Sequence, residues 1–265
     1  MATTTENAAS HLIFGVGNWN NDPANLSKQE ELLASHGESE KFLGNHGLAS
    51  SGEFNIITKA PMCLVANGAT KEGILQQWEK SSKALKTNKV AIYLLHVPDD
   101  QTPIEETMDG IQTLYEAGHF DEFGISNFSP TQVVTLHTYC CQKSYILPTI
   151  YQCLYSPCSR LSETHLFPLL HSLNIKIQAY SCLASGFLTK NPEDIKEGKG
   201  NFDRATVFGK VLQEMYVEEV VREIAKGPLE EWVVDRIEAL WEDVRGCAKG
   251  DNFQTYRRLL ELGAL

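Results

Sequence analysis

Two side chains in this sequence combine reactive chemistry with positions that would let them use it. Lys59 ends the short apolar run Phe54-Asn-Ile-Ile-Thr-Lys59, and His96 ends Val90-Ala-Ile-Tyr-Leu-Leu-His96. Apolar runs of this length read as strands buried on both faces. In a barrel of parallel strands the C-terminal strand ends carry the chemistry. An amine and an imidazole placed there can serve as general acid and general base. The plainer alternatives are a lysine paired with a carboxylate and a satisfied core histidine. Asn127 and Gln152 close two further predicted strands and offer hydrogen-bonding amides. Asp99 and Asp100 are expected to cap a turn or face solvent. Trp19, Tyr155 and Trp232 are expected to pack, with a pocket-lining role as the alternative.

The elements that must position these groups alternate. After the strand ending at Lys59, residues 70–86 read as a helix, with Ile74, Leu75, Trp78 and Leu85 at helical spacing. After the His96 strand, Thr102-Pro-Ile-Glu105 predicts a capping box that opens a helix with the stripe Ile104, Met108, Ile111 and Leu114, closed by Gly118. Glu122–Ser126, Thr149–Gln152 and Ile175–Tyr180 are further strands. Helices are expected from Ser129-Pro-Thr-Gln132 and around Leu166, Leu169, Leu170 and Leu173. Lys190–Asn201 reads as a charged loop. Residues 211–226 and 229–245 read as two helices parted by Gly227-Pro228. Ser27–Ala34 reads as one short helix, and Leu12–Gly15 as the weakest of six strand candidates.

This β-α repetition predicts an α/β fold with a parallel sheet and crossover helices. The expected architecture is a TIM-type barrel, incomplete because it has about six of eight strands. A doubly wound open sheet is the rival. The chain is expected to form one domain over residues 1–265, with a disordered tail at 1–10 and C-terminal helices over 211–265. Unpaired edges in such a barrel predict a homodimer across the opening, or rearranged helices covering it.

Of the 265 residues, 42% are hydrophobic and 22% charged, and the net charge is −11. The acidity argues against nucleic acid as a partner. No apolar run approaches the about 20 residues of a membrane span, and no secretory signal is read at the N-terminus. Seven cysteines without metal-site spacing read as reduced thiols, mostly core filler, in a cytoplasmic protein. No metal site is expected.

Six ordered pieces then resemble one family. They are Ile56-Ile-Thr-Lys-Ala60, Tyr93-Leu-Leu-His-Val-Pro-Asp99, Thr102-Pro-Ile-Glu-Glu-Thr107, Phe123-Gly-Ile-Ser-Asn-Phe128, Leu147-Pro-Thr-Ile-Tyr-Gln152 and the stretch from Ala179-Tyr180 to Leu188. Together they resemble the aldo-keto reductases, in the branch of the aflatoxin-aldehyde reductases. Gly37–Gly44 is similar to the segment that follows the family's catalytic tyrosine. The resemblance implies NADPH-linked reduction of a small carbonyl substrate. It implies that Lys59 and His96 match the catalytic lysine and histidine. It implies that Ser126, Asn127 and Gln152 hold the nicotinamide carboxamide, that Tyr180 stacks on the ring, and that Ser181, Leu183 and Gly186 approach the pyrophosphate.

The family's aspartate and tyrosine should lie just before Gly37. The sequence there, Leu32-Leu-Ala-Ser-His36, has neither. The strand and helix that hold the adenosine are missing between Tyr216 and Gly227. Two whole units are therefore lost, or were omitted from the translated sequence, and NADPH binding is expected to be weak or absent. The expected function is an oxidoreductase acting on a small carbonyl in specialised (secondary) metabolism, with Tyr155 or His36 standing in for the tyrosine. The alternatives are a non-redox isomerase, dehydratase or cyclase using Lys59 and His96, and a non-catalytic binding protein.

Overall fold

The computed structural model describes residues 37–216. Among them, five strands form one parallel sheet in sequence order: β1 (Ile57–Ala60), β2 (Val90–Leu95), β3 (Phe120–Ser126), β4 (Pro148–Leu154) and β5 (Lys176–Tyr180). Helix α1 (Glu38–Asn45) precedes β1. Helices α2 (Lys71–Leu85), α3 (Ile104–Glu116) and α4 (Pro130–Lys143) link successive strands, and α5 (Leu166–Ser172) precedes β5. Helices α6 (Pro192–Lys196) and α7 (Val207–Tyr216) follow β5.

The strand order never reverses. A doubly wound sheet needs a reversal at its switch point, so the arrangement is that of an incomplete TIM-type barrel. All five strands expected within the described residues are present. The Leu12–Gly15 candidate, the Ser27–Ala34 helix, the 1–10 tail and the 229–245 helix lie outside them. The edges expected to pair or be covered are β1 and β5, the outer strands among the described residues.

Local chemistry explains most boundaries. The Thr70 hydroxyl accepts from the Gly73 N–H and starts α2, and left-handed Lys86 ends it. Ser129 and Gln132 form the capping box expected for α4. The box expected at Thr102 is absent. Pro103 is the cap residue of α3 and contributes no side-chain bond. The Thr102 hydroxyl instead donates to Asp99 (2.9 Å), whose carboxylate also accepts from the Gln101 N–H (2.9 Å). That local turn competes successfully for the hydroxyl. The stretch expected to be a loop at Lys190–Asn201 contains α6. Asn191 caps that helix and Pro192 takes its first position, a start signal the charged composition hid. Helix α7 begins at Val207, ahead of the expected residue 211.

Side chains alternate across each strand, and the register aligns them in rows. One face carries Thr58 beside Tyr93, and Ala60, Leu95, Ile125, Tyr151 and Ile177 across the sheet. This face packs under the helices, against Ile74, Trp78, Met108, Ile111, Leu114, Val133 and Leu136 in one core. The other face carries the row Lys59, Leu94, Gly124, Ile150, Lys176 and the row Ser126, Gln152, Gln178. Its fully buried Leu94 lies outside the helix-side core. Gly124 makes room for it: a Cβ there would stand 2.2 Å from Leu94 Cδ2 and 2.9 Å from the Ile150 carbonyl oxygen.

Candidate active site

The inner face of the sheet gathers the polar groups. Lys59 is half-buried near the end of β1. Across the register from it stands Leu94, and His96 follows one step beyond, its backbone N–H bonded to the Ala60 carbonyl (3.0 Å). Burial lowers the Lys59 pKa from the ordinary lysine value. The His96 imidazole is pushed down to about 3, first by burial and then by the nearby Lys59 charge. Both shifts favour uncharged forms, as desolvation of a cation does. His96 is therefore neutral at physiological pH and offers one N–H and one acceptor nitrogen.

Asn127 anchors the neighbouring part of the site. It follows β3 with a left-handed backbone (φ 63°), a conformation asparagine tolerates better than most residues. Its Nδ2 donates to the His96 carbonyl (2.9 Å) and to Ser126 Oγ (3.0 Å). Its Oδ1 accepts from the Tyr180 hydroxyl (2.7 Å). One buried amide thus ties the ends of β2, β3 and β5 together. Gln152 Nε2 donates to Gln178 Oε1 (3.3 Å), joining β4 to β5 in the next row.

The chain after β5 is unusual. Ser181, Ala184, Ser185 and Gly186 all have left-handed backbones. A non-glycine residue held there costs about 1–3 kcal/mol, and such strain clusters at ligand-binding segments. The Asn201 amide donates to the Ser185 carbonyl (3.0 Å) and braces this loop. Leu183 is exposed on it.

The structure thus brings Lys59, His96, Ser126, Asn127, Gln152 and Tyr180 to one end of one face, with Ser181, Leu183 and Gly186 on the adjoining loop. Tyr155 does not join them as a proton donor. Its hydroxyl donates to Glu163 (2.5 Å), which also holds Arg160 through two bonds of 2.8 and 3.0 Å. Burial, then the bond to Glu163, raises the Tyr155 pKa, the wrong direction for an activated phenol. His36, Trp19 and Trp232 lie outside the described residues. Asp99 makes the turn expected of it.

Three participants escaped the sequence reading. Gln178 receives the Gln152 bond, Glu122 pairs with Lys176 (3.6 Å) and accepts from Thr149 (2.9 Å), and Gly124 admits Leu94. The alternation in Lys176-Ile-Gln-Ala-Tyr180 placed Lys176, Gln178 and Tyr180 on one face and was the available signal.

Among the described residues no cluster of three metal-binding side chains occurs, and no helix is long and apolar enough to cross a membrane. Of the described cysteines, Cys140, Cys153 and Cys158 are buried, Cys63 is half-buried, and Cys141 and Cys182 are exposed; no disulfide joins any of them.

Comparison with known proteins adds to this geometry. Residues 34–240 match the model of the aldo/keto reductase family. The oxidoreductase sirO of Leptosphaeria maculans is 36% identical over 267 residues, covering 80% of each chain. Aldo-keto reductase family 7 member A3 of Homo sapiens is 38% identical over 189 residues, 70% of this chain and 56% of its own. The aldo-keto reductase pigE of Monascus ruber is 34% identical over 139 residues, 51% of this chain and 41% of its own. The chain thus spans little more than half the length of the human relative. The match to sirO runs over 267 positions while drawing on 80% of a 265-residue chain. It must therefore cross stretches where that relative has residues and this chain has none.

Proposed function

Because the chain belongs to the aldo/keto reductase family, we propose that it is an NADPH-linked oxidoreductase that acts on a small carbonyl compound in specialised metabolism. The observation that carries this reading is the convergence of Lys59, His96, Asn127, Gln152 and Tyr180 at one end of one sheet face. The names of sirO and pigE, an oxidoreductase and an aldo-keto reductase, support it.

When bound, the nicotinamide cofactor supplies the hydride. Ser126, Asn127 and Gln152 would hold its carboxamide and Tyr180 its ring, while the strained loop Ser181–Gly186 would take the phosphates. The residues present fit the nicotinamide end. Asn127 and Gln152 offer amide donors and acceptors now satisfied by Tyr180, His96 and Gln178, and these bonds would be exchanged for bonds to the carboxamide. The neutral His96 would orient the carbonyl oxygen. No phenol matches the family's tyrosine, so in this reading the proton reaches that oxygen from solvent. Cysteines without disulfides among the described residues suit a reducing cytoplasm.

Titration of the protein with NADPH, followed by cofactor fluorescence and reversed with NADP⁺, tests the reading. Micromolar affinity is expected. Absence of binding at millimolar cofactor would overturn it.

A further inference from the structure

Lys59 combines burial with the lack of a carboxylate partner among the described residues; Lys80 and Lys86 lack one too, but are exposed. Lys41, Lys83, Lys89, Lys176 and Lys199 each meet a carboxylate, at 2.5 to 3.6 Å. Lys59 meets none among the described residues. The acids near it are engaged elsewhere. Glu40, from α1, accepts from Thr58 on the opposite face of β1 (2.5 Å). Glu122 sits one row lower on the inner face, held by Lys176 and Thr149. The stretch where the family's aspartate would stand, Leu32–His36, contains no acid. Beside Lys59 in the register is the fully buried Leu94, and the ionisable neighbour on that side is His96.

We propose that Lys59 is a nucleophilic amine that captures small aldehydes covalently, as an imine, at the C-terminal end of β1. The step needs no hydride and no cofactor. The Nζ lone pair attacks the carbonyl carbon, and the C=O π electrons move to oxygen, which takes up a proton. The nitrogen gives up its two protons in turn, the first to that oxygen and the second to the departing hydroxyl, which leaves as water as the C=N bond forms. Atoms and electrons balance without an oxidant or reductant. A neutral imidazole such as that of His96 carries one N–H and one acceptor nitrogen, and can pass a proton from the amine nitrogen to the departing hydroxyl. A lysine desolvated by apolar surroundings is the activated form of this nucleophile. The lowered Lys59 pKa agrees with that environment. Loss of the family's aspartate and tyrosine then has a chemical consequence: the amine no longer serves a phenol and is left to react itself.

The test uses the full unsubstituted chain without NADPH. It is incubated at pH 7 with butyraldehyde and sodium cyanoborohydride, which reduces any imine to a stable secondary amine. Peptide mass mapping then gives the labelling rate of each lysine. Lys59 is expected to label severalfold faster than the exposed Lys80, because burial holds more of its amine in the neutral, nucleophilic form. A chain with Lys59→Met should lose that fast component and keep the slow one. Labelling of Lys59 at or below the rate of Lys80 would overturn the proposal. Because the decisive map is made on the unsubstituted chain, misfolding of the variant cannot rescue or sink it.

Discussion

The two faces of the same five strands are built to opposite rules. Under the helices, Tyr93, Leu95, Phe123, Ile125 and Tyr151 are fully buried and join one continuous core. Trp78 meets Tyr93 edge to face at 5.5 Å, and Tyr93 stacks on Phe120 at 5.7 Å. On the inner face, residues one position away along the strands are Lys59, Glu122, Gln152, Lys176 and Gln178; a hydrogen bond joins Gln152 to Gln178 and a long ion pair joins Glu122 to Lys176. The helix side holds the strands by packing, which is non-directional and large. The inner side holds a few polar groups in fixed directions, at a cost in desolvation that the helix side offsets. A single-residue step along β1 passes from Thr58, bonded to α1, to Lys59, aimed at chemistry.

The comparison fails first if the helix face is not the main source of stability. Phe123→Ala should lower the unfolding free energy by about 3–5 kcal/mol in denaturant melts. A loss below about 1 kcal/mol would show that the helix-side core is not what holds the sheet. Next comes the tie between strands. Asn127→Ala removes one acceptor of the Tyr180 hydroxyl and one donor to the His96 carbonyl. The expected cost is about 1–3 kcal/mol, together with weaker NADPH binding. If the stability loss occurs with unchanged NADPH affinity, Asn127 is a brace and no part of the cofactor site.

Acid should act through the inner face. His96 is held below its unfolded value, down to about 3. Between about pH 6.5 and that value the unfolded chain therefore binds the proton and the native chain does not. Stability should fall as pH drops through that window. Melts at pH 7, 6, 5 and 4 on the parent and on His96→Gln check this, with a shallower slope expected for the variant. Lys59→Met sharpens the contrast further. It removes an amine whose charged form burial disfavours and keeps the side-chain volume. Stability should match the parent within about 1 kcal/mol or exceed it, while any amine chemistry disappears. A large loss of stability would mean that Lys59 is structural. The smallest effect belongs to Glu122→Gln. The ion pair with Lys176 is long and largely exposed, so less than about 1 kcal/mol is expected.

How much of this was legible beforehand follows the same division. The five strands were readable because the apolar runs around Ile57, Leu94, Ile125, Ile150 and Ile177 are local signals. The helix stripes were readable at Ile74, Trp78, Met108 and Ile111 for the same reason. The capping box at Ser129 is local too, and it forms as its sequence predicts. The one expected at Thr102 failed because Asp99 took the hydroxyl first, a competition that composition alone does not rank. Lys59 and His96 stood out by type and position. Their mutual influence, the bond from Tyr180 to Asn127 and the withdrawal of Tyr155 into the Glu163–Arg160 pair all join residues of different elements or turn on local geometry.

The sequence by itself determined the family, the alternation of strand and helix, and which residues could carry chemistry, since these depend on residue type and near-neighbour spacing. It also carried the loss before Gly37 of the expected aspartate and tyrosine, visible as a missing motif. The tertiary structure alone decided which side chains share a face, because parallel pairing between distant strands sets the register and a shift of one residue would exchange the two faces. It also decided the state of Lys59. Burial depends on what the whole sheet brings around an amine, and so does the absence of a carboxylate beside it among the described residues.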